Sequence, residues 1–182
     1  MKEAGKIMRY FIVDAETDGL YGRYLSVAAQ VYNIEWKVID EFYGTVRVQP
    51  EQISSDWVRE NVYPYLYQND ITYETEQELL EAFWQFWMKY QKKDDIYCIA
   101  DVMYPVESRL FMECVKLNRE EREFQAPFPF YDLESVLWTK GVKKLENREK
   151  LLEEQGCQGF QRHYALDDVK ITAKLLQFYL KN

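Results

Sequence analysis

Two short acidic patterns near opposite ends of the chain carry the residue types of a divalent-cation site. They are Asp14-Ala15-Glu16-Thr17-Asp18-Gly19-Leu20 and His163-Tyr164-Ala165-Leu166-Asp167-Asp168. Carboxylates are the hard oxygen donors that Mg2+ prefers, and this ion keeps several of its own waters. Asp14 and Glu16 follow the apolar run Tyr10-Phe11-Ile12-Val13. In an extended strand, positions i and i+2 share a face, so the two can hold one cation or flank a pair. Two ions about 3.5–4 Å apart clamp the attacking and leaving oxygens of a phosphodiester displacement. His163 is the single histidine, and an imidazole titrating near neutrality suits a general base for an attacking water. Asp168, in the first turns of a helix, supplies a further ligand.

Each pattern alone also has a plainer reading. Asp18-Gly19 completes a strand-end turn, His163 caps or packs, and Asp167 is a solvated acid favoured by the helix dipole. The middle of the chain adds Asp101 and, six residues later, Glu107. On a helix starting near Val106, the residues Val106, Leu110, Phe111, Cys114 and Leu117 form one stripe, and Glu107 lies near its centre. A carboxylate among buried apolar groups is costly unless paired or metal-bound. The alternative is a salt bridge to Arg109 or Arg162. Asp101 and Glu107 both remain metal-ligand candidates.

The elements that must position these groups follow from hydrophobic periodicity. Strands are expected at 9–14, 24–32, 36–48, 96–101 and 128–133, with a tight hairpin at 33–35. A short helix spans 55–62, capped by Ser54 or Ser55. A strongly amphipathic helix spans 75–90, with Leu79, Leu80, Phe83, Phe86 and Trp87 on one face. Further helices are expected at 106–117, from 133 through Trp138, at 144–154, and from His163 or Tyr164 to Leu180. This order describes an α/β fold, a mixed five-stranded sheet flanked by helices. Such sheets bind ligands beyond strand ends. If the strands ending at Asp14 and Asp101 are parallel neighbours, their carboxylates meet in one crevice.

Composition bounds the class. The 182 residues are 47% hydrophobic and 16% aromatic with seven Gly and five Pro, an ordered globular make-up read as a single domain over 1–182. No run of 18 apolar residues marks a membrane span, and Met1-Lys-Glu-Ala-Gly-Lys lacks a signal peptide's apolar core. Cys98, Cys114 and Cys157 read as reduced thiols of a cytoplasmic protein. The net charge of −8 argues against tight, sequence-independent binding of long duplexes, which needs a broad basic face. The charge is uneven: residues 51–100 hold 4 Lys and Arg against 10 Asp and Glu, whereas the flanking segments are each close to neutral. The acidic middle is therefore expected to face away from any nucleic acid, and bound cations would invert the field around the acids at the site.

In order and spacing the motifs resemble the DEDDh family of 3′–5′ exonucleases, which have a ribonuclease H-like fold. Asp14-Ala-Glu16-Thr17-Asp18-Gly19-Leu20 is similar to the family's first motif, and His163 through Asp168 with the following helix is similar to its third. The resemblance implies two Mg2+ or Mn2+ ions and removal of nucleoside 5′-monophosphates from a single-stranded 3′ end of RNA or DNA. His163 would be the general base; Asp14, Glu16, Glu107 and Asp168 would act with it, and Thr17, Gly19 and Leu20 would contact the terminal nucleotide. The second motif departs from the pattern. Glu107-Ser-Arg-Leu110-Phe111 fits its frame with Glu in place of Asp, while Asp101 stands where the family often has Asn. Tyr21 and the cluster Tyr63-Pro-Tyr65-Leu-Tyr67 are candidates for base stacking. Lys140, Lys143, Lys144, Arg148, Lys150 and Arg162 form a modest basic segment, which reads either as a phosphate contact or as a solvated charged helix. Two rivals share such a scaffold: a non-catalytic module that binds nucleic acid or protein, and a hydrolase of small phosphorylated nucleotides. A homodimer is compatible with the sequence, which does not specify it.

Overall fold

The computed structural model describes residues 8–69, 71–92 and 95–181; the N-terminal segment Met1–Lys6 discussed above lies outside the described residues. A six-stranded mixed sheet forms the centre, with β1 (Met8–Thr17), β2 (Tyr24–Tyr32), β3 (Val38–Val46), β4 (Thr72–Tyr73), β5 (Asp95–Ala100) and β6 (Phe130–Asp132). Their spatial order is β4-β3-β2-β1-β5-β6. The first three strands form an antiparallel meander, while β5 and β6 extend it in parallel from β1. The expectation of five strands is corrected to six. The added β4 is two residues long, too short to leave a periodic signal, and it is held through its pairing with β3 at Thr45 and Val46.

Alternation along β1 assigns its faces. Phe11, Val13 and Ala15 pack against α2 (Glu76–Gln91) and α3 (Val106–Leu117), in a core with Phe83, Phe86, Trp87, Leu110 and Phe111. Ile12 packs on the opposite face, with α5 (Leu133–Thr139), α6 (Arg148–Glu153) and α7 (Ala165–Lys181). All nine residues of β2 are buried, as expected of a strand covered on both faces. α2 begins at a capping box: Thr75 accepts from the Glu78 N–H while Glu78 reaches back to the Thr75 N–H. Such a cap contributes about 1 kcal/mol. Its buried face then adds Leu79, Phe83, Phe86 and Trp87, each worth roughly 1.5–3 kcal/mol of burial.

α1 (Asp56–Asn61) is capped by Ser55, whose hydroxyl accepts from the Val58 N–H. The expected helix over 144–154 is shortened to α6, because Asn147 caps its start by accepting from the Lys150 N–H. A one-turn helix, α4 (Arg119–Arg122), follows α3; a segment so short carries no readable period. The meander turn is a wider loop than a two-residue hairpin. Asn33 donates its N–H to the Lys37 carbonyl and its side chain accepts from the N–H groups of Glu35 and Lys37.

Tyr67 is tied down at its hydroxyl. Its hydroxyl accepts from the Val48 N–H at 2.8 Å, and Tyr63 meets it edge-on. This part of the aromatic cluster braces the loop after β3. Among the described residues, no helix is long and apolar enough to cross a membrane.

Candidate active site

The β1–β5 register pairs Ile12 with Ile99, and two residues further on stand Asp14, within β1, and Asp101, just past the end of β5. β1 continues three residues past Asp14, to Thr17, so Asp14 sits within the strand and not at its end. Asp14 and Glu16 share the Ile12 face, towards which the start of α7 is packed. Glu107 reaches the same place from the other layer. It lies in the first turn of α3, beyond the end of β5, and its Oε1 accepts from the Ala15 N–H at 3.3 Å. Three separate elements thus deliver Asp14 and Glu16, Glu107, and Asp168 to one crevice.

The backbone before α7 is shaped for this purpose. His163 has φ +62°, a left-handed conformation that costs a non-glycine residue of order 1 kcal/mol or more. In that conformation its N–H donates to Asp168 Oδ2 at 2.8 Å, and its Nδ1 lies 3.7 Å from Glu16 Oε1. Ligand atoms of Glu16, His163 and Asp168 all fall within 4.8 Å of one another. Asp167, expected to be a solvated acid, is instead half-engaged. It accepts from the Gln161 N–H at 2.9 Å and from Lys170 at 2.8 Å, which fixes the loop that presents His163. Trp57 of α1 stands edge-on to the imidazole, with ring centroids 4.9 Å apart.

The electrostatics of this crevice are those of acids crowded together out of water. Asp14 is held well above the usual carboxylate range, by burial first and then by the charges of Asp168, Glu16 and Glu107. Burial likewise pushes Glu107 up to about 8 and Asp168 up to about 7, the latter against the pull of Arg162. His163 is raised chiefly by the Glu16 carboxylate beside it. Asp14 Oδ2 is buried with no hydrogen-bond partner among the described residues. Such an orphaned oxygen, among several carboxylates, fits a hard divalent cation.

Asp101 does not share this situation. Its carboxylate accepts from Arg148 Nε at 2.9 and 3.1 Å, and the same guanidinium bonds Glu134 at 2.5 Å. Arg148 is only 4% exposed. Asp101 is therefore spent in an ion pair, and of the two second-motif candidates it is Glu107 whose carboxylate joins the cluster. Neither Arg109 nor Arg162 forms an ion pair with Glu107 among the described residues. Arg109 lies over the Tyr24 ring and donates to the Gly22 carbonyl.

Thr17 and Gly19 build the turn that leaves β1. Thr17 Oγ1 donates to the Gly19 carbonyl at 2.7 Å, and Gly19 takes φ +77°, where any side chain would be strained. Leu20 is 62% exposed beside this turn. Sequence reasoning missed the role of Asp18. Its carboxylate accepts from the Ser54 N–H, the Ser54 hydroxyl and the Ser55 N–H at 2.5–3.0 Å, pinning the turn to the start of α1. An Asp followed by Gly reads as turn chemistry alone, and nothing in the sequence marks a partner 36 residues away.

No protein-family model and no curated protein matches the sequence. Solved structures do share its architecture. The nuclease domain of 3′hExo, described as a DEDDh family member bound to rAMP, is 18% identical with a TM-score of 0.70, over 96% of this chain and 92% of that one. The fold is that of the DEDDh exonucleases. Cell-death related nuclease 4 shares this DEDDh fold at 18% identity and TM-score 0.65, over 95% of this chain and 64% of its own. Exonuclease X in complex with 5′ overhanging duplex DNA does so at 18% identity and TM-score 0.56, over 94% and 91%. At these identities the likeness concerns the DEDDh fold, the ribonuclease H-like sheet with its flanking helices.

Proposed function

We propose that this chain is a divalent-metal-dependent 3′–5′ exonuclease that releases nucleoside 5′-monophosphates from single-stranded 3′ ends of RNA or DNA. The observation that carries the reading is the cluster of Asp14, Glu16, Glu107 and Asp168. These are buried or half-buried acids, two of whose oxygens (Asp14 Oδ2 and Asp168 Oδ1) have no hydrogen-bond partner among the described residues, set beside the only histidine of the chain. The solved structures that share the fold support it, since 3′hExo is described with rAMP and E. coli Exonuclease I with a dA16 oligonucleotide.

Asp14, Glu16, Glu107 and Asp168 would hold two Mg2+ or Mn2+ ions, which when bound neutralise the phosphodiester and acidify water. The protein supplies the rest. Glu16 lies beside His163 Nδ1, and in this reading Nε2 accepts a proton from the attacking water. The left-handed backbone at His163 and its N–H bond to Asp168 keep the ring beside the carboxylates. The pin from Asp18 to Ser54 and Ser55 holds Thr17, Gly19 and Leu20 in place for the terminal nucleotide. Asp101, taken by Arg148, shapes the wall of the crevice and is no ligand in this reading.

The test is incubation with labelled RNA and DNA oligomers, and separately with dinucleotides and nucleoside triphosphates, in Mg2+ or Mn2+. The reading expects 5′-mononucleotides from the oligomers. Turnover confined to the small nucleotides would make the chain a nucleotide hydrolase, and no turnover of any of them would make it a binding module.

A further inference from the structure

Arg162 directly precedes His163 and is the nearest cation to the acidic cluster. Its Nε lies 3.2 Å from Asp168 Oδ1 and 4.0 Å from Glu149 Oε1 on α6. The contact to Asp168 is one of charge and not of hydrogen bonding, because the buried Oδ1 has no aligned donor. Arg162 is also the counter-charge that lowers Asp14, which no other cation offsets among its principal influences. With Asp101, Val102, Arg148, Glu149 and His163 it lines a cavity of about 430 Å³ that opens beside the site.

A guanidinium cannot shed its proton to make room for another cation. It must either repel an incoming ion or move. Glu149 offers a second carboxylate within reach of the same guanidinium. We propose that Arg162 is a built-in counter-ion: it neutralises Asp168 until a divalent cation binds, then shifts to Glu149 and faces the cavity, where it holds the substrate phosphate. The proposal rests on the exonuclease reading. The planar fork of the guanidinium matches two phosphate oxygens at once, so the group that guards the empty cluster is suited to recognise what the filled one acts on.

Titration calorimetry of Mn2+ into chelator-treated protein, without nucleic acid, tests the first half. Arg162→Gln should bind Mn2+ roughly tenfold more tightly, the effect of removing one charge about 6 Å from a dication even under water-like screening. Glu149→Gln should weaken Mn2+ binding in the wild-type background but not in the Arg162→Gln background. Plain loss of an acidic charge would weaken both alike, so the double-mutant comparison isolates the second berth. For the second half, AMP is titrated into Mn2+-saturated protein, where Arg162→Gln should bind it several-fold more weakly. Opposite signs for metal and nucleotide are not what a merely structural arginine produces. Unchanged or weaker Mn2+ binding by Arg162→Gln overturns the proposal, and so does an effect of Glu149→Gln that persists without Arg162. Should Arg162→Gln fail to fold, Arg162→Lys replaces it in the same cycle, because a point charge keeps the neutralisation while losing the fork: Mn2+ affinity near wild type with weakened AMP binding is expected, and wild-type AMP affinity overturns the phosphate role. Wild-type protein that binds no Mn2+ contradicts the exonuclease reading itself.

Discussion

His163 and Glu107 have different dependences on their surroundings, and replacing each separates base from ligand. His163→Ala removes the proton acceptor while leaving four carboxylates in place. Turnover on oligomers should fall about 10²–10⁴-fold, with Mn2+ affinity measured by calorimetry close to wild type. Near wild-type turnover at neutral pH would make the histidine structural. Glu107→Gln keeps an oxygen to accept from the Ala15 N–H but loses the charge. It should nearly abolish activity and weaken Mn2+ binding, while the melting temperature of the metal-free protein stays equal or rises at pH 8 and above, where the buried carboxyl would otherwise have to ionise. Asp101→Asn should leave Mn2+ binding unchanged, because that carboxylate faces Arg148. Loss of metal binding in Asp101→Asn with normal binding in Glu107→Gln would reverse the two assignments.

At the scale of elements, the end of β5 and the start of α6 are joined by Arg148. The guanidinium is 4% exposed and bonds Asp101 after β5 and Glu134 on α5. Removing it strands two carboxylates, so Arg148→Ala should cost roughly 3–5 kcal/mol in urea unfolding; a loss under 1 kcal/mol would show that the bridge holds nothing. The sequence could not announce this tie. Arg148 stands among Lys140, Lys143, Lys144 and Lys150 in what reads as a solvated basic run, and only tertiary contact distinguishes the buried member. The strands and helices with long apolar periods were legible, β1, β2, α2, α3 and α7 among them, because burial on a defined face writes a period of 2 or 3.6. Glu107 was legible for the inverse reason, as a charge interrupting such a stripe. β4, α4 and the pin from Asp18 to Ser54 and Ser55 were not, since elements of two to four residues and single side-chain contacts leave no periodic trace.

For the whole molecule, the acid cluster couples stability to pH and to metal. Glu107 rises from 4.5 to about 8 and Asp168 from 3.8 to about 7 on folding, both through burial. Raised carboxylates mean that the folded state binds more protons than the unfolded one. Their contribution is therefore fully present below the ordinary carboxylate range and is lost as pH climbs towards about 8. Chelated protein should show this loss as a falling melting temperature between pH 5 and pH 8, with Mn2+ restoring more stability at pH 8 than at pH 5. A melting temperature in chelator that rises over that window would contradict the protonation assigned to the cluster. The whole chain carries a net charge of −8, which does not favour coating long duplexes.

Following a 5′-labelled single-stranded RNA or DNA oligomer through time, in Mg2+ and in excess chelator, tests the central claim most directly. The account predicts a ladder that shortens one nucleotide at a time from the 3′ end in Mg2+ and stays at full length in chelator. Full-length oligomer in both conditions, or the same shortening in both, would contradict it.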